Sequence, residues 1–323
     1  MADFDLFNGD ADGIFSLLQL RQAEPRPDAQ RVTGVKRDVK LFPRIAGLTQ
    51  AGDRVTALDI SMAKNTAGLV EVLESGAEVL YVDHHQTGDV PESDRLTVIT
   101  DDAAITCTAY LVDGLLRGAH ADWAVCGAYG DNFAGLAEQI ARARNLDLPL
   151  GRLRELGELV NYNAYGLSLD DLYFDPADLF ETLLAYPGPV AFLEDDTDTF
   201  RTLKNGYQDD WDVAQSASEI DVSDIGQVLS LPGLPASNRI SGLFGNALVD
   251  EDPDKAFAIL TEIDDGGPAF RVSIRAPRAR KTAPAADLAT RFGGGGRTAA
   301  AGIDALPESR LGEFVDAFRE AFV

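Results

Sequence analysis

Short apolar runs rich in β-branched residues recur along the first part of the chain, and polar or glycine-containing segments separate them. Runs of this kind are typical of strands that are buried on both faces of a sheet. The predicted strands are Phe4–Phe7, Arg31–Val35, Arg54–Asp59, Glu78–Asp83 and Leu96–Thr100. Helical segments lie between them, such as 65–75, which ends at Gly76. This alternation predicts an α/β domain with a parallel sheet.

The apolar pattern changes twice further along the chain. Between about residues 134 and 186 leucines recur at three- and four-residue steps, as on one apolar face of a helix. Strand-like runs return after that, and Phe257–Ile263 and Phe270–Arg275 predict a hairpin. A helix that begins at Ser237 as its N-cap precedes them. The last part of the chain therefore has a mixed α/β pattern.

These changes predict three parts of the chain. The first, 1–133, is a parallel-sheet domain, and the second, 134–224, is a helical connector. The third, 225–323, is a smaller mixed α/β domain. A chain of 323 residues is long for a single core, which favours more than one domain.

Polar residues follow the ends of four apolar runs. Asn8, Asp10 and Asp12 follow 4–7, and Asp59 follows 54–58. Asp83, His84 and His85 follow 78–82, and Asp131 comes after 123–127. We interpret 123–127 as a further strand. Parallel strands place their carboxyl ends at one edge of a sheet, where open α/β sheets bind ligands. We therefore expect these groups to converge. Carboxylates in such number repel one another unless cations pair them, and oxygen ligands with one or two imidazoles favour Mn²⁺ or Mg²⁺.

The overall charge narrows the classes of partner. A net charge of −25 argues against a protein that binds duplex DNA, because such a protein presents a broad basic face. The sequence shows no apolar run long enough to span a membrane and no basic start with an apolar segment. Cys107 and Cys126 do not make a disulfide framework. We expect a reduced cytoplasmic protein that does not bind membranes and that is able to form an oligomer.

One segment reverses this negative charge. The window 271–297 contains one acidic residue, Asp287, and these basic ones: Arg271, Arg275, Arg278, Arg280, Lys281, Arg291 and Arg297. It also contains a run of four glycines, 293–296, whose backbone amides can approach an anion closely. Arginine side chains bind phosphates in a bidentate manner. The segment indicates either a phosphate-binding clamp or a solvated basic loop beside a turn.

Together these segments resemble the DHH phosphoesterase family, in the subfamily that carries a DHHA1 domain. Asp83-His84-His85 is similar to the motif that names the family, and 8–13 resembles its first motif. Asp59 matches the second motif, and Asp131 matches the fourth. The segment 293–302 is similar to the Gly-Gly-Gly-His region of the DHHA1 domain. The resemblance covers both ends of the chain.

The resemblance implies a two-metal phosphoester hydrolase. It implies an N-terminal DHH domain, a helical connector and a C-terminal DHHA1 domain, with water activated by two Mn²⁺ ions, or Mg²⁺, in a cleft between the domains. The substrates would be short oligonucleotides or small nucleotides. The metal ligands implied are Asn8, Asp10, Asp12, Asp59, His84 and Asp131. Asp59 would bridge the ions, Asp83 would orient His84, and His85 would contact the scissile phosphate.

The implied substrate-binding residues are Arg275, Gly294, Gly295, Gly296 and Arg297. Two positions depart from the family pattern. Asn8 stands where many relatives have a histidine ligand, and Arg297 stands where the DHHA1 motif has a histidine. Two other functions remain as alternatives, a RecJ-like single-strand exonuclease and a degenerate, non-catalytic regulator that binds nucleotides.

Overall fold

A computed structural model of the chain describes residues 1–195, 197–264, 266–278 and 284–322. The chain divides into two compact units, 1–205 and 206–323. The three-part domain division remains a prediction. Within the described residues, no helix combines the length and apolar character needed to cross a membrane.

The first unit is built on a five-stranded parallel sheet of described residues. Its strands are β1 (Asp3–Phe7), β2 (Gln30–Val32), β3 (Arg54–Leu58), β4 (Glu78–Asp83) and β5 (Leu96–Thr100). Their spatial order is β2-β1-β3-β4-β5, and every neighbouring pair is parallel. The predicted α/β class and parallel sheet are confirmed. The order places the ends of β1, β3 and β4 side by side.

Helices cover this sheet and continue beyond it. They are α1 (Ala11–Ala23), α2 (Met62–Glu74), α3 (Thr108–Leu115), α4 (Ala121–Gly130), α5 (Ala134–Ala143), α6 (Leu150–Asn163), α7 (Pro176–Leu184), α8 (Pro189–Glu194) and α9 (Asp198–Gln215). Pro43 lies in a short 3₁₀ helix, Phe42–Arg44. The helical character predicted for the middle of the chain is confirmed.

The strand predicted at 123–127 is wrong, because this segment lies inside helix α4. Every residue of α4 except Asp122 is buried, so the segment shows no polar face. A short, wholly apolar run has the same pattern in a buried strand and a buried helix. Glycines let α4 pack closely: a Cβ on Gly130 would lie 2.3 Å from the Cβ of Ala11.

A buried charge network joins α1 to the sheet. Asp5 on β1 is fully buried, and its carboxylate accepts hydrogen bonds from Arg21 Nε at 2.9 Å and Nη2 at 2.6 Å. Arg21 Nη2 also donates to Thr56 Oγ1 on β3 at 2.8 Å. Arg31 Nη1 donates to Asp5 Oδ2 at 3.0 Å. The buried Asp5 carboxylate is therefore paired with two guanidinium groups away from water.

The second unit contains a six-stranded mixed sheet of described residues, with order β10-β11-β9-β8-β7-β6. Its elements are β6 (Ser218–Ser223), β7 (Gly226–Leu231), α10 (Pro235–Glu251), β8 (Ala256–Asp264), β9 (Pro268–Arg275), α11 (Ala285–Arg291), β10 (Gly295–Gly296), β11 (Ala300–Pro307) and α12 (Leu311–Ala321). The predicted hairpin is confirmed, because β8 and β9 pair antiparallel. Ser237 is not the N-cap of α10, which begins at Pro235 after Leu234.

We expect Asp5→Asn to lower the free energy of unfolding by about 3 kcal/mol or more, because it leaves the buried Arg21 guanidinium without its carboxylate. Urea denaturation of both proteins measures this change. Glu158→Gln is the control, since Glu158 forms an exposed pair with Arg154 that contributes about 0.5 kcal/mol. Equal losses in the two variants would contradict the assignment of the buried network as a stabilising link.

Candidate metal centre

The turn between β1 and α1 supplies three of the predicted ligands. The backbone N–H of Asn8 donates to Leu58 O at 3.2 Å, which ties the turn to β3. Asp10 is the N-cap of α1, and its Oδ1 accepts from the Gly13 N–H at 3.2 Å. This geometry fixes the carboxylate of Asp10 beside the end of the sheet.

Asp12 lies in the first turn of α1, but its carboxylate contacts the start of α3. Its Oδ2 accepts from the Thr108 N–H, and its Oδ1 accepts from the Ala109 N–H, each at 2.7 Å. The first amides of a helix have no partners within the helix and attract negative charge. Helix α3 therefore holds Asp12 in place and offsets part of its charge.

Asp59 follows β3 directly and has a left-handed backbone conformation, with φ of 57°. This conformation is costly for most residues, and aspartate tolerates it better than branched residues do. The Asp59 N–H donates to Val82 O at 3.1 Å, so the pairing of β3 with β4 continues to this residue. Backbone strain that the surrounding structure maintains in this way is common at functional sites.

The Asp83-His84-His85 motif lies at the end of β4. Asp83 Oδ1 accepts from the His84 N–H at 2.9 Å and lies 2.7 Å from His85 Nδ1. We predicted that Asp83 orients the His84 side chain, but the ring that it contacts is that of His85. In this turn the carboxylate of Asp83 meets the ring of the residue two positions on, His85. The ring of the intervening residue, His84, lies instead beside Asp59, Asp131 and Asp12.

His84 is the point where the carboxylates converge. Its Nε2 lies 3.4 Å from Asp59 Oδ1, 3.6 Å from Asp131 Oδ2 and 3.8 Å from Asp12 Oδ2. Asp131 is the C-cap residue of α4 and does not follow a strand. The predicted convergence is therefore present in the structure, although one of its members reaches the site by a different element.

Two groups of described His and Asp side chains have geometry suited to a metal ion. One group is Asp59, His84 and His85, and the other is Asp12, His84 and Asp131. Within each group the ligand atoms lie within 4.8 Å of one another. His84 belongs to both, so the two groups are adjacent.

Lys36 is a member of the site that we did not predict. Its Nζ lies 2.5 Å from Asp10 Oδ2, 2.9 Å from Asn161 Oδ1 and 3.5 Å from Asp131 Oδ1. Lys36 follows β2, which is the sheet neighbour of β1. Its position after a predicted strand at the same edge is a signal in the sequence, but the predicted site contained no lysine.

Asn8 presents an acceptor atom suited to a cation. Its Oδ1 is buried and has no hydrogen-bond partner among the described residues, while its Nδ2 donates to Lys36 O at 3.4 Å. A buried amide oxygen without a partner is costly unless something binds it. Amide and carboxylate oxygens together suit Mg²⁺ or Mn²⁺. The donor set therefore fits a divalent metal ion.

The carboxylates perturb one another strongly. Burial, followed by the charges of Asp10, Asp12 and Asp131, raises the pKa of Asp59 well above its usual value. Burial and the charge of Asp131 raise the pKa of Asp12 to about 6. Burial also acts to raise the pKa of Asp10, but Lys36 outweighs it and the net shift is downward. A cation at the site would relieve this repulsion.

The proposed substrate-binding arginine of the second unit is engaged within that unit. Arg275 donates to Asn246 Oδ1 at 2.6 Å, to Ser273 Oγ at 2.9 Å and to Gly242 O at 3.0 Å. Arg278 pairs with Asp250. The Arg275 contacts occupy its donors, and the pair with Asp250 offsets the charge of Arg278. Arg280 and Lys281, which we included in it, lie outside the described residues.

The glycine run forms a short strand. Gly295 and Gly296 make β10, which pairs with β11, and the Gly294 N–H donates to Ala289 O at 2.9 Å. The amide of Gly294 is therefore used within the unit. The side chain of Arg297 is exposed in the turn between β10 and β11. The exposed positions of the run are thus Gly293, Gly295 and Gly296, and Arg297 follows them.

No family model matches the chain, and no curated protein matches it in sequence. Solved structures do match. Exonuclease RecJ bound to manganese is 15% identical with a TM-score of 0.63, over 99% of this chain and 89% of that one. The pGpG-specific phosphodiesterase PggH from Vibrio cholerae is 13% identical with a TM-score of 0.56, over 98% and 97%.

A further match is a DHH domain described as a member of a family of ribosomal proteins, which is 14% identical with a TM-score of 0.61, over 99% of this chain and 86% of that one. This chain has the DHH-domain fold. The resemblance that the motifs indicated is confirmed at the level of the fold. The DHH fold accounts for the position of Asp83-His84-His85 at the end of β4, beside the turns that carry Asp10, Asp12 and Asp59.

We expect Asp59→Asn to stabilise the metal-free protein at pH 8 by about 1 kcal/mol or more. Asp59 has a raised pKa, so its proton stabilises the folded state below the unfolded pKa, and this stability is lost as pH rises through the folded pKa. Asparagine carries no charge and tolerates the left-handed backbone. The gain should therefore shrink toward pH 4.

Thermal unfolding with a chelator present, at several pH values, measures the difference. Asp209→Asn is the matched control, because Asp209 is exposed. A variant of Asp59 that is no more stable than the wild type at pH 8 would show that charge repulsion at this residue is absent.

Proposed function

We propose that this protein is a divalent-metal-dependent phosphoesterase that hydrolyses phosphoester bonds in short oligonucleotides or small nucleotides. The observation that carries the proposal is the approach of Asp12, Asp59 and Asp131 to within 3.8 Å of His84 Nε2. The fold supports it, because the similar structures include an exonuclease and a phosphodiesterase by name. Raised carboxylate pKa values at the site add electrostatic support.

We propose Mn²⁺ as the preferred ion, with Mg²⁺ as the alternative, and two ions for each chain. Asp10 and Asn8 would hold one ion, while Asp12, His84 and Asp131 would hold the other. Asp59 would contact both. Divalent ions at such a centre lower the pKa of water and neutralise charge on a phosphoester. The remaining contributions come from the side chains of the chain itself.

His85 is suited to contact a phosphate oxygen. Its hydrogen bond with Asp83 raises its pKa against the opposing effect of burial, which favours the imidazolium form. In that form both ring nitrogens donate, so Nε2 can donate to an anion while Nδ1 donates to Asp83. The side chain is 44% exposed, which leaves it accessible to a substrate.

The substrate is proposed to be short because of charge. A protein with a net charge of −25 repels a long polyanion, whereas a dinucleotide or a bisphosphonucleoside carries few phosphates. Gly295, Gly296 and Arg297 are proposed to bind its distal phosphate, with Arg275 as a supporting residue. Catalysis in a cleft between two domains remains a prediction from the sequence.

We expect the Mn²⁺-loaded protein to hydrolyse dinucleotides, 3′,5′-bisphosphonucleosides or cyclic dinucleotides, and to act poorly on long single strands. Asp59→Ala should lower kcat at least about 10³-fold, because the carboxylate shared by both metal positions is removed. A substrate panel with Mn²⁺, Mg²⁺ and chelator measures this. Asp209→Ala is the control and should retain the activity.

The outcomes separate the candidate functions. Turnover that rises steeply with strand length would favour a RecJ-like exonuclease, for which the fold similarity to RecJ is the specific support. Nucleotide binding without turnover in any metal would favour a non-catalytic regulator and overturn the proposal.

We expect Arg297→Ala to raise KM about tenfold while kcat changes little, because a contact to a phosphate distant from the reacting bond contributes equally to ground and transition states. Steady-state kinetics on the best dinucleotide measures both constants. Arg291→Ala is the matched control, since Arg291 is an exposed arginine near Glu320. An unchanged KM in Arg297→Ala would remove this residue from the proposed substrate site.

A further inference from the structure

The Lys36 ammonium lies within the same set of carboxylates that is proposed to bind metal. Its acceptors are Asp10 Oδ2 at 2.5 Å, Asn161 Oδ1 at 2.9 Å and Asp131 Oδ1 at 3.5 Å. An ammonium group has three N–H donors, and here three oxygens surround it. Lys36 is therefore placed as a cation of the site, with its side chain 31% exposed.

The surroundings of Lys36 hold it in this position. Its backbone N–H donates to Ala164 O at 3.0 Å, and its carbonyl accepts from Asn8 Nδ2 at 3.4 Å. Asn161 Nδ2 donates to Tyr165 Oη at 3.0 Å, which orients the amide oxygen toward the ammonium. The Nζ also lies 5.8 Å from the centre of the Tyr165 ring, in cation–π range. Residues from α6 and the turn after it thus form a receptor for this lysine.

Lys36 affects the two metal positions unequally. The position that would use Asp10 and Asn8 shares Asp10 directly with the ammonium. The other position depends on Asp12, His84 and Asp131, and the Asp131 oxygen nearest His84 is Oδ2, while Oδ1 is the one nearest Lys36. The ammonium and a divalent ion repel each other, and both bind the same Asp10 carboxylate.

We propose that Lys36 is a built-in cation that competes with one of the two metal ions. One divalent ion binds tightly at Asp12, Asp59, His84 and Asp131. The ion that requires Asp10 binds more weakly, because it must share that carboxylate with Lys36 or displace the ammonium. This inference rests on the proposed metal centre, but it does not depend on which phosphoester the protein hydrolyses.

The test is a titration of the metal-free wild-type protein with Mn²⁺, with no substrate present. Calorimetry counts the ions and their affinities, and electron paramagnetic resonance distinguishes an isolated Mn²⁺ from a coupled pair. At one equivalent we expect the spectrum of an isolated ion. The coupled pair should form only at free Mn²⁺ concentrations at least about tenfold higher.

Three variants identify Lys36 as the cause. Lys36→Met removes the charge at similar length, and it should strengthen binding of the second ion at least about tenfold, so that the gap between the two affinities narrows. Lys36→Arg keeps the charge and should keep the gap. Lys204→Met is the control, because Lys204 forms an exposed pair with Glu155 at 2.7 Å and should leave both affinities unchanged.

The wild-type titration tests the inference even if Lys36→Met does not fold. Two equally tight ions in the wild type would overturn it, as would a second ion whose affinity is unchanged or lower in a folded Lys36→Met. A protein that binds no Mn²⁺ would overturn the proposed metal centre itself. Ordered binding of two ions without turnover would support the role of Lys36 and count against the proposed activity.

Discussion

The repulsion among buried carboxylates at one edge of the sheet is the constraint on which this site depends. Asp10, Asp12 and Asp59 are each at most 2% exposed, and Asp131 lies beside them. Burying a charge without a partner is costly, and burying several together is more so. The fold places these groups together nonetheless, because three adjacent parallel strands end there. Local structure must therefore supply positive charge or hydrogen-bond donors for each group.

Each carboxylate receives a different form of compensation. Asp12 accepts two amide hydrogen bonds at the start of α3. Asp10 pairs with Lys36, and Asp83 accepts from a backbone amide and contacts the His85 ring. The contacts of Asp83 are local in sequence. Those of Asp12 and Asp10 join residues that are far apart in the chain, so this compensation exists only in the folded protein. This explains why a single domain holds so much negative charge at one edge.

Part of this arrangement was readable in the sequence because its signals are local. Strand β5 has the predicted bounds, and Asp10, Asp59 and His84 follow strands as predicted. Helix α4 was predicted as a strand because its residues are almost all apolar. Without polar positions at regular intervals, the sequence does not distinguish a buried helix from a buried strand. Lys36 follows a predicted strand at the same edge, but its partner Asn161 is far along the chain, so no local pattern indicated that its ammonium would bind there.

The internal engagement of Arg275 was missed for a related reason. The composition of a basic, glycine-rich segment is enough to suggest that its arginines bind phosphate. Its donors are nevertheless directed to Asn246, Ser273 and Gly242. Side-chain identity predicts the chemistry that a residue can perform, whereas the partners that use its donors depend on tertiary contacts. Most of the carboxylate cluster was predictable because Asp10, Asp12 and Asp59 follow strands that end at one sheet edge, and the basic segment has no such shared frame.

Asp59 is a carboxylate of this edge on which burial and neighbouring charges act strongly. Its Oδ1 accepts a hydrogen bond from the Thr108 hydroxyl at 3.3 Å, and the charges of Asp10 and Asp12 act on it. Burial and three neighbouring aspartates raise its pKa well above the usual value, and its backbone is held at a φ of 57°. A cation beside the Asp59 carboxylate would relieve the electrostatic part of this cost. The carboxylate that bears this electrostatic cost is the one proposed to contact both metal ions.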